Sequence, residues 1–184
     1  MGALRFRRGN LIHDLLARLP DIEPEKRRAS ALNYLRANKV DDAEAGKLAD
    51  ETLAVIGDKQ FAAAFAPGSR AEVALVADLP EVGDGARLNG RIDRLAITED
   101  EILIVDFKTN RPPPAKVEDV STLYIAQMAL YRAALSKVFP GRRFACALVW
   151  TEGPRLMPLP AARLEAELGV IRTRLDSGAA NPRY

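Results

Sequence analysis

At 184 residues the chain is sized for one domain with a core of its own, and its 48% hydrophobic and 28% charged residues are ordinary for a globular protein. A net charge of +2 excludes overall polybasic character, so any polyanionic ligand has to be held by a local patch. The single cysteine, Cys146, excludes an internal disulfide framework and any multi-cysteine zinc or iron–sulfur site. No stretch reaches the length of a membrane span and no signal peptide is visible, which makes the cytoplasm the default location.

Arg8-Gly9-Asn10 precedes a helical run over 11–19, with Leu11, Leu15, Leu16 and Leu19 at helical spacing and Pro20 stopping it. His13, the only histidine, lies on this run. Two or three helices are expected from 21 to about 65. Pro24-Glu25 opens the first, with Ala29, Ala31, Leu32 and Leu35 inside and Lys26, Arg27, Arg28 and Arg36 outside. Asp41-Asp42-Ala43-Glu44 puts negative charge at the next helix N-terminus. Leu48, Leu53, Val55 and Ile56 follow, Gly57 ends the helix, and 58–65 reads as one more short helix. This helical part, 1–66, carries no recognisable chemistry of its own apart from His13. Pro67-Gly68-Ser69 is a loop, 71–78 a strand opened by Glu72, and 79–85 a turn-rich connection with Pro80, Gly83 and Gly85.

Two further strands, 88–97 and 102–107, are joined by Thr98-Glu99-Asp100 as a hairpin. Each carries a carboxylate that breaks its apolar pattern: Asp93 between Ile92 and Leu95, and Asp106 directly after Ile102-Leu103-Ile104-Val105. Their spacing allows both carboxylates to sit near one level on neighbouring strands. Lys108 stands two residues after Asp106 and shares its face, while Phe107 points the other way, into the core. Unpaired charge in a sheet is expensive, and a divalent metal is one reason to tolerate it. Two carboxylates and the Phe107 backbone carbonyl make a hard oxygen site suited to Mg²⁺. Such an ion activates water and clamps a phosphodiester oxygen, and Lys108 would orient the water or neutralise phosphoryl charge. The competing reading is an ion pair on a solvated hairpin face.

After Arg111 three prolines, Pro112 to Pro114, terminate the strand. The strongest helix covers 117–138. Tyr124, Gln127 and Tyr131 run along one side of it, with Leu123, Leu130, Ala134, Leu135 and Val138 as the packed face. Read alone, the two tyrosines are core aromatics with wet hydroxyls. Phe139-Pro140-Gly141 ends the helix, 144–150 is a buried apolar strand holding Cys146, and 155–159 a further short strand. An amphipathic helix over 161–175 carries Leu164, Leu168, Ile171 and Leu175 on one face, and 176–184 reads as a loose tail. The expected architecture is α/β, a mixed central sheet flanked by helices, in a single domain: a helical part (1–66), the hairpin sheet with its long helix (67–160), the last helix and the tail.

The hairpin resembles the metal site of the PD-(D/E)xK nucleases, in particular the RecB-like nuclease domain. Within that group GRIDRL, IVDFKTNRPP and YIAQMALYRAAL are most similar to the C-terminal nuclease domain of AddA, a subunit of the bacterial AddAB helicase-nuclease. The resemblance implies a restriction-endonuclease-like fold and a Mg²⁺-dependent DNA exonuclease, with Mn²⁺ as a substitute. It implies Asp93, Asp106, Lys108, Gln127 and Tyr131 as the catalytic group, the last two from a Q-x-x-x-Y element. Arg8 to His13 match an R-G-x-x-I/V-H element, which implies His13 at the metal site beside Asp93, Asp106 and the Phe107 carbonyl. Glu72 matches an acidic residue on the preceding strand. Arg8, Thr109 and Arg111 are candidate DNA contacts, and Arg5, Arg7, Lys116, Arg142 and Arg143 are further cations for a local patch. The iron–sulfur cluster of some relatives is excluded by the cysteine count. Expected partners are DNA, as a single strand or duplex end, and, for a domain separated from its motor, the helicase part of the same polypeptide and an AddB-like subunit. No phosphate loop of a motor is present, and the Met1-Gly2 start fits an excised domain. Two alternatives stay open: a non-catalytic DNA-binding or subunit-docking module with a vestigial site, and a free-standing RecB-like exonuclease.

Overall fold

The computed structural model describes the backbone of residues 2–177, with side chains from Arg7 onward. The tail expected beyond Asp176 lies, from residue 178, outside the described residues, and so does the side chain of Arg5. Five strands form one sheet in the order β1-β2-β3-β4-β5. They are β1 (Arg70–Asp78), β2 (Arg87–Ile97), β3 (Glu101–Lys108), β4 (Arg143–Trp150) and β5 (Arg155–Pro158). All neighbours are antiparallel except β3 and β4, which run parallel. Parallel neighbours need a long crossover, and α4 (Thr122–Val138) supplies it. The mixed sheet flanked by helices is therefore the α/β architecture expected from the residues.

Two cores cover the two sides of the sheet. On one side α4 and α5 (Ala161–Asp176) bury Ile92, Ile102, Ile104, Leu148 and Trp150. On the other, α1 (Gly2–Arg18), α2 (Pro24–Ala37) and α3 (Asp42–Gly57) bury Val105, Phe107 and Val149. The strict alternation of β3, Ile104 one way and Val105 the other, is the two-residue period of a strand covered on both faces. Asp106 and Lys108 fall on the α4 side and Phe107 on the opposite side, as the spacing predicts. Asp41 caps α3 by accepting a hydrogen bond from the Glu44 N–H, 3.0 Å.

Several boundaries differ from the sequence reading. Arg8-Gly9-Asn10 lies inside α1 rather than ahead of it. Gly9 costs helix propensity there, but a Cβ would stand 3.0 Å from Thr109 Oγ1, so the glycine lets α1 approach the end of β3. The expected helix over 58–65 is only a 3₁₀ turn, Lys59–Phe61. The helix expected from 117 starts at Thr122, after a separate 3₁₀ turn, Val117–Asp119. Leu123 and Val138, assigned to the packed face of α4, are exposed, because the helix presents Ile125, Met128 and Ala129 to the sheet and its two ends overhang it. Ala29 is likewise exposed, and Arg27 turns back to donate to the Pro20 and Ile22 carbonyls.

Candidate active site

The site begins where the β2–β3 ladder stops. Its last pair is Arg94↔Val105. Continued by one residue, that register sets Asp93 opposite Asp106, and the β1–β2 register sets Glu72 opposite Asp93. Three carboxylates thus occupy one row across three strands. Beyond Val105 the next β3 donor toward β2, the Phe107 N–H, is met by a side chain: Asp93 Oδ2 accepts it at 2.8 Å. Asp93 Oδ2 also faces His13 Nδ1 of α1 at 3.5 Å. The imidazole stands edge-on to the Phe107 ring, centroids 6.2 Å apart, and Phe65 lies parallel to that ring. Glu72 holds its place in a left-handed backbone conformation, φ +53°, a costly geometry for a residue with a side chain. Arg91 pairs with its carboxylate at 3.0 Å.

Asp106 is 3% exposed. Its Oδ2 meets the Lys108 ammonium at 2.5 Å, outside good hydrogen-bond geometry, and has no hydrogen-bond donor. The ammonium has two further neighbours, both from α4: Gln127 Oε1, which accepts from it at 3.1 Å, and the face of Tyr124, 3.8 Å from the ring centroid. Tyr124 is itself fixed by donating its hydroxyl proton to Asn110 Oδ1, 2.9 Å. Gln127 Nε2 donates to the Tyr131 hydroxyl at 3.1 Å. That hydroxyl donates to the Arg91 carbonyl at 2.9 Å and accepts from the Arg91 N–H at 3.3 Å. Tyr131 thus satisfies backbone that β3 has abandoned. The adjoining Gly90 makes this possible, since a Cβ there would come within 2.6 Å of Tyr131 Cε1. A chain of contacts therefore runs from β2 backbone through Tyr131 and Gln127 to Lys108 and Asp106.

Burial pushes the Asp106 carboxyl up to about 6, with the Asp93 charge adding to the effect and Lys108 opposing it. Burial lowers the His13 imidazole, but the bond and charge of Asp93 outweigh it, and its pKa is raised overall. Burial also raises the Tyr131 hydroxyl. Cys146, on β4 and facing the core, is pushed up to about 12 by burial and is a core residue rather than a reactive thiol.

The donor set fits a hard divalent cation. Ligand atoms of His13, Glu72 and Asp93 lie within 4.8 Å of one another, and Asp106 adds a buried carboxylate oxygen that no hydrogen bond satisfies. The proposed residues fall into two adjoining groups: His13, Glu72 and Asp93 gather their ligand atoms, while Asp106, outside that trio, sits with Lys108, Gln127 and Tyr131.

The candidate DNA contacts are placed differently. Arg8 ion-pairs with Glu51 and reaches the Thr109 carbonyl at 3.5 Å, and Arg111 pairs with Glu51 and with Glu152, each at 3.0 Å. Both arginines flank the end of β3, and both are matched by acid. Glu51, which also accepts from Thr151 Oγ1 at 2.5 Å, is a tie between α3, α1 and the ends of β3 and β4. Nothing local in the residue order marks it, since its partners lie 43, 60 and 100 residues away. Arg142 and Arg143 stand at the opposite end of the strands, bonded to the Glu99 carbonyl at 3.1 Å and to Glu101 at 3.4 Å. That is about 20 Å from Lys108 along β3, too far to belong to this patch.

Comparison with known proteins agrees with the geometry. The model of the PD-(D/E)XK nuclease superfamily matches residues 2–167. No curated protein matches. Among solved structures, a candidate exonuclease from Eubacterium rectale is similar at TM-score 0.52 and 17% identity, over 91% of this chain and 70% of that one, which is a likeness of fold. SSO0001 (TM-score 0.39, 16% identity, 94% of this chain and 77% of that one) and VC1899 from Vibrio cholerae (0.35, 16%, 95% and 52%) lie further away. With that family model matching residues 2–167, nearly the whole chain, this protein belongs to the PD-(D/E)XK nuclease superfamily.

Proposed function

We propose that the chain is a Mg²⁺-dependent DNA exonuclease domain of the RecB-like kind, with Asp93, Asp106, Lys108, Gln127 and Tyr131 as its catalytic group. The observation that carries this reading is Lys108. Its ammonium is held by an acid, an amide and an aromatic face beyond the last β2–β3 pair. Asp93 and Asp106 would hold the metal, with Glu72 and His13 beside them. The Phe107 carbonyl joins them, because in an extended strand it points to the same side as the N–H that Asp93 accepts. Bound there, Mg²⁺ or Mn²⁺ supplies an activated water and charge neutralisation at a phosphodiester oxygen.

The protein side of the reaction follows from the contacts. Lys108 is fixed before substrate arrives, so it stabilises developing phosphoryl charge with little reorganisation. Gln127 and Tyr131 hold the ammonium at its level and tie it to β2. His13, raised by Asp93, keeps that carboxylate oriented. Arg8, Thr109 and Arg111 would meet backbone phosphates as these displace Glu51 from the two guanidinium groups. The AddA-like wording of the motifs supports a setting in double-strand-break repair in the cytoplasm. There, a helicase motor of the same polypeptide and an AddB-like subunit would deliver the strand.

The test is cleavage of end-labelled linear single-stranded DNA with Mg²⁺ or Mn²⁺, beside an EDTA control and calorimetric metal binding. Metal-dependent shortening from the end is expected. Absence of both cleavage and metal binding would overturn the reading in favour of a binding module.

A further inference from the structure

We propose that the groove between the start of β2 and the first turns of α4 is a subsite for the nucleobase next to the scissile phosphate. This rests on the nuclease reading of the adjoining site. The groove holds about 230 Å³ and is walled by Leu88, Asn89 and Gly90 from β2 and by α4, whose Leu123, Tyr124 and Gln127 are joined deeper in by Leu130 and Tyr131.

Three features choose the occupant. The first is continuity: Tyr124 and Gln127, two of these walls, are also the uncharged partners of the Lys108 ammonium, at 3.8 and 3.1 Å. A group in the groove therefore sits beside whatever phosphate Lys108 faces. The second is chemistry. Among the described residues no lysine, arginine, aspartate or glutamate lines the groove, so it does not suit a second phosphate. An apolar wall, two tyrosine rings and two side-chain amides suit a planar heterocycle with hydrogen-bonding edges. The third is size and exposure. The groove is smaller than sites that take drug-sized molecules. Leu123, 57% exposed in the first turn of α4, leaves a large apolar side chain open at its mouth. Stacking of this kind tolerates any base, so the subsite holds the strand without reading its sequence. A base seated here has left its duplex stack, which favours an end that is already unpaired.

The experiment uses the full chain with Mg²⁺ and end-labelled single strands carrying one abasic residue, stepped through the positions flanking the cut. Wild type is compared with Leu123→Ala, an exposed helix position where alanine does not threaten folding. At one position the abasic residue should lower kcat/KM about tenfold or more for the wild type. Leu123→Ala should lower it about threefold to tenfold on the intact strand and have no further effect on that abasic strand. No sensitive position, no effect of Leu123→Ala on the intact strand, or two effects that multiply independently would each overturn the subsite. A wild type that neither cuts the intact strand nor binds Mg²⁺ overturns the nuclease reading and the subsite with it; one that binds Mg²⁺ without cutting is read by strand affinity instead, where the same abasic position and Leu123→Ala should each weaken binding and unchanged affinities would overturn the subsite alone.

Discussion

From Ile102 to Val105, β3 is paired on both sides, antiparallel to β2 and parallel to β4. From Asp106 to Lys108 only β4 remains beside it. The first half is closed by backbone and filled by Ile102, Ile104 and Val105, all fully buried. In the second half side chains replace the missing ladder: Asp93 takes the Phe107 N–H, and the Tyr131 hydroxyl takes both backbone groups of Arg91. One strand thus anchors the fold at one end and holds charge in a low-dielectric opening at the other. The second half sacrifices regular pairing and leaves a buried Asp106 oxygen without a donor, the kind of cost that collects at functional sites.

Substitutions in the two halves should therefore separate activity from stability. Asp93→Asn keeps an acceptor for the Phe107 N–H, so the fold should survive while metal-dependent cleavage falls about 100- to 1,000-fold. Matched circular dichroism and cleavage rates check this. Ile104→Ala, in the closed half, should do the reverse. It should lower unfolding free energy by about 2–5 kcal/mol in urea titration and leave cleavage by the folded fraction near normal. Gly90→Ala forces a methyl against Tyr131 and should cost about 1–3 kcal/mol. The same change in a Tyr131→Ala background should cost almost nothing, which a double-mutant cycle reads directly.

The pH dependence sharpens the contrast further. Asp106 titrates near 6 in the folded protein against 3.8 as the ordinary value, so between those values the folded state holds a proton that the unfolded chain has released. Its contribution to stability is present below pH 3.8 and lost as pH rises through about 6. The raised His13 imidazole acts in the same direction. Without metal, Asp106→Asn should therefore gain about 1–3 kcal/mol over the wild type at pH 7 and lose that advantage near pH 4. Thermal denaturation of both proteins at the two pH values tests the sign. The smallest effect expected is at Tyr124: Tyr124→Phe keeps the ring over Lys108 and should cleave near the wild-type rate, whereas Tyr124→Leu should slow kcat about three- to tenfold. Equal rates for the two variants would show that the ring does not position the lysine.

Much of this was legible from residue order. Asp93, Asp106 and Lys108 stand out because charge in apolar strands demands an explanation, and the period of two put Asp106 and Lys108 on one face and Phe107 on the other. The side shared by Tyr124, Gln127 and Tyr131 follows from helical spacing, and all three reach the site. What could not be read is what depends on where strands part. Nothing local marks Arg94↔Val105 as the last pair, so nothing in the residue order assigns Gly90 its role or the Tyr131 hydroxyl its backbone partner. Glu51 is one acid among many on its helix until the fold gathers Arg8, Arg111 and Thr151 around it. Leu123 fits the apolar periodicity of α4, yet it lies on the overhanging end of the helix, where no strand covers it.

The most direct test of the open end of β3 as a metal-dependent nuclease site is Mg²⁺-supported cleavage of end-labelled single-stranded DNA by Lys108→Ala, with folding verified by thermal denaturation. A folded variant with cleavage reduced to the EDTA background is the predicted result. A folded variant that cuts at the wild-type rate would contradict it and remove Lys108, and the site built around it, from the chemistry.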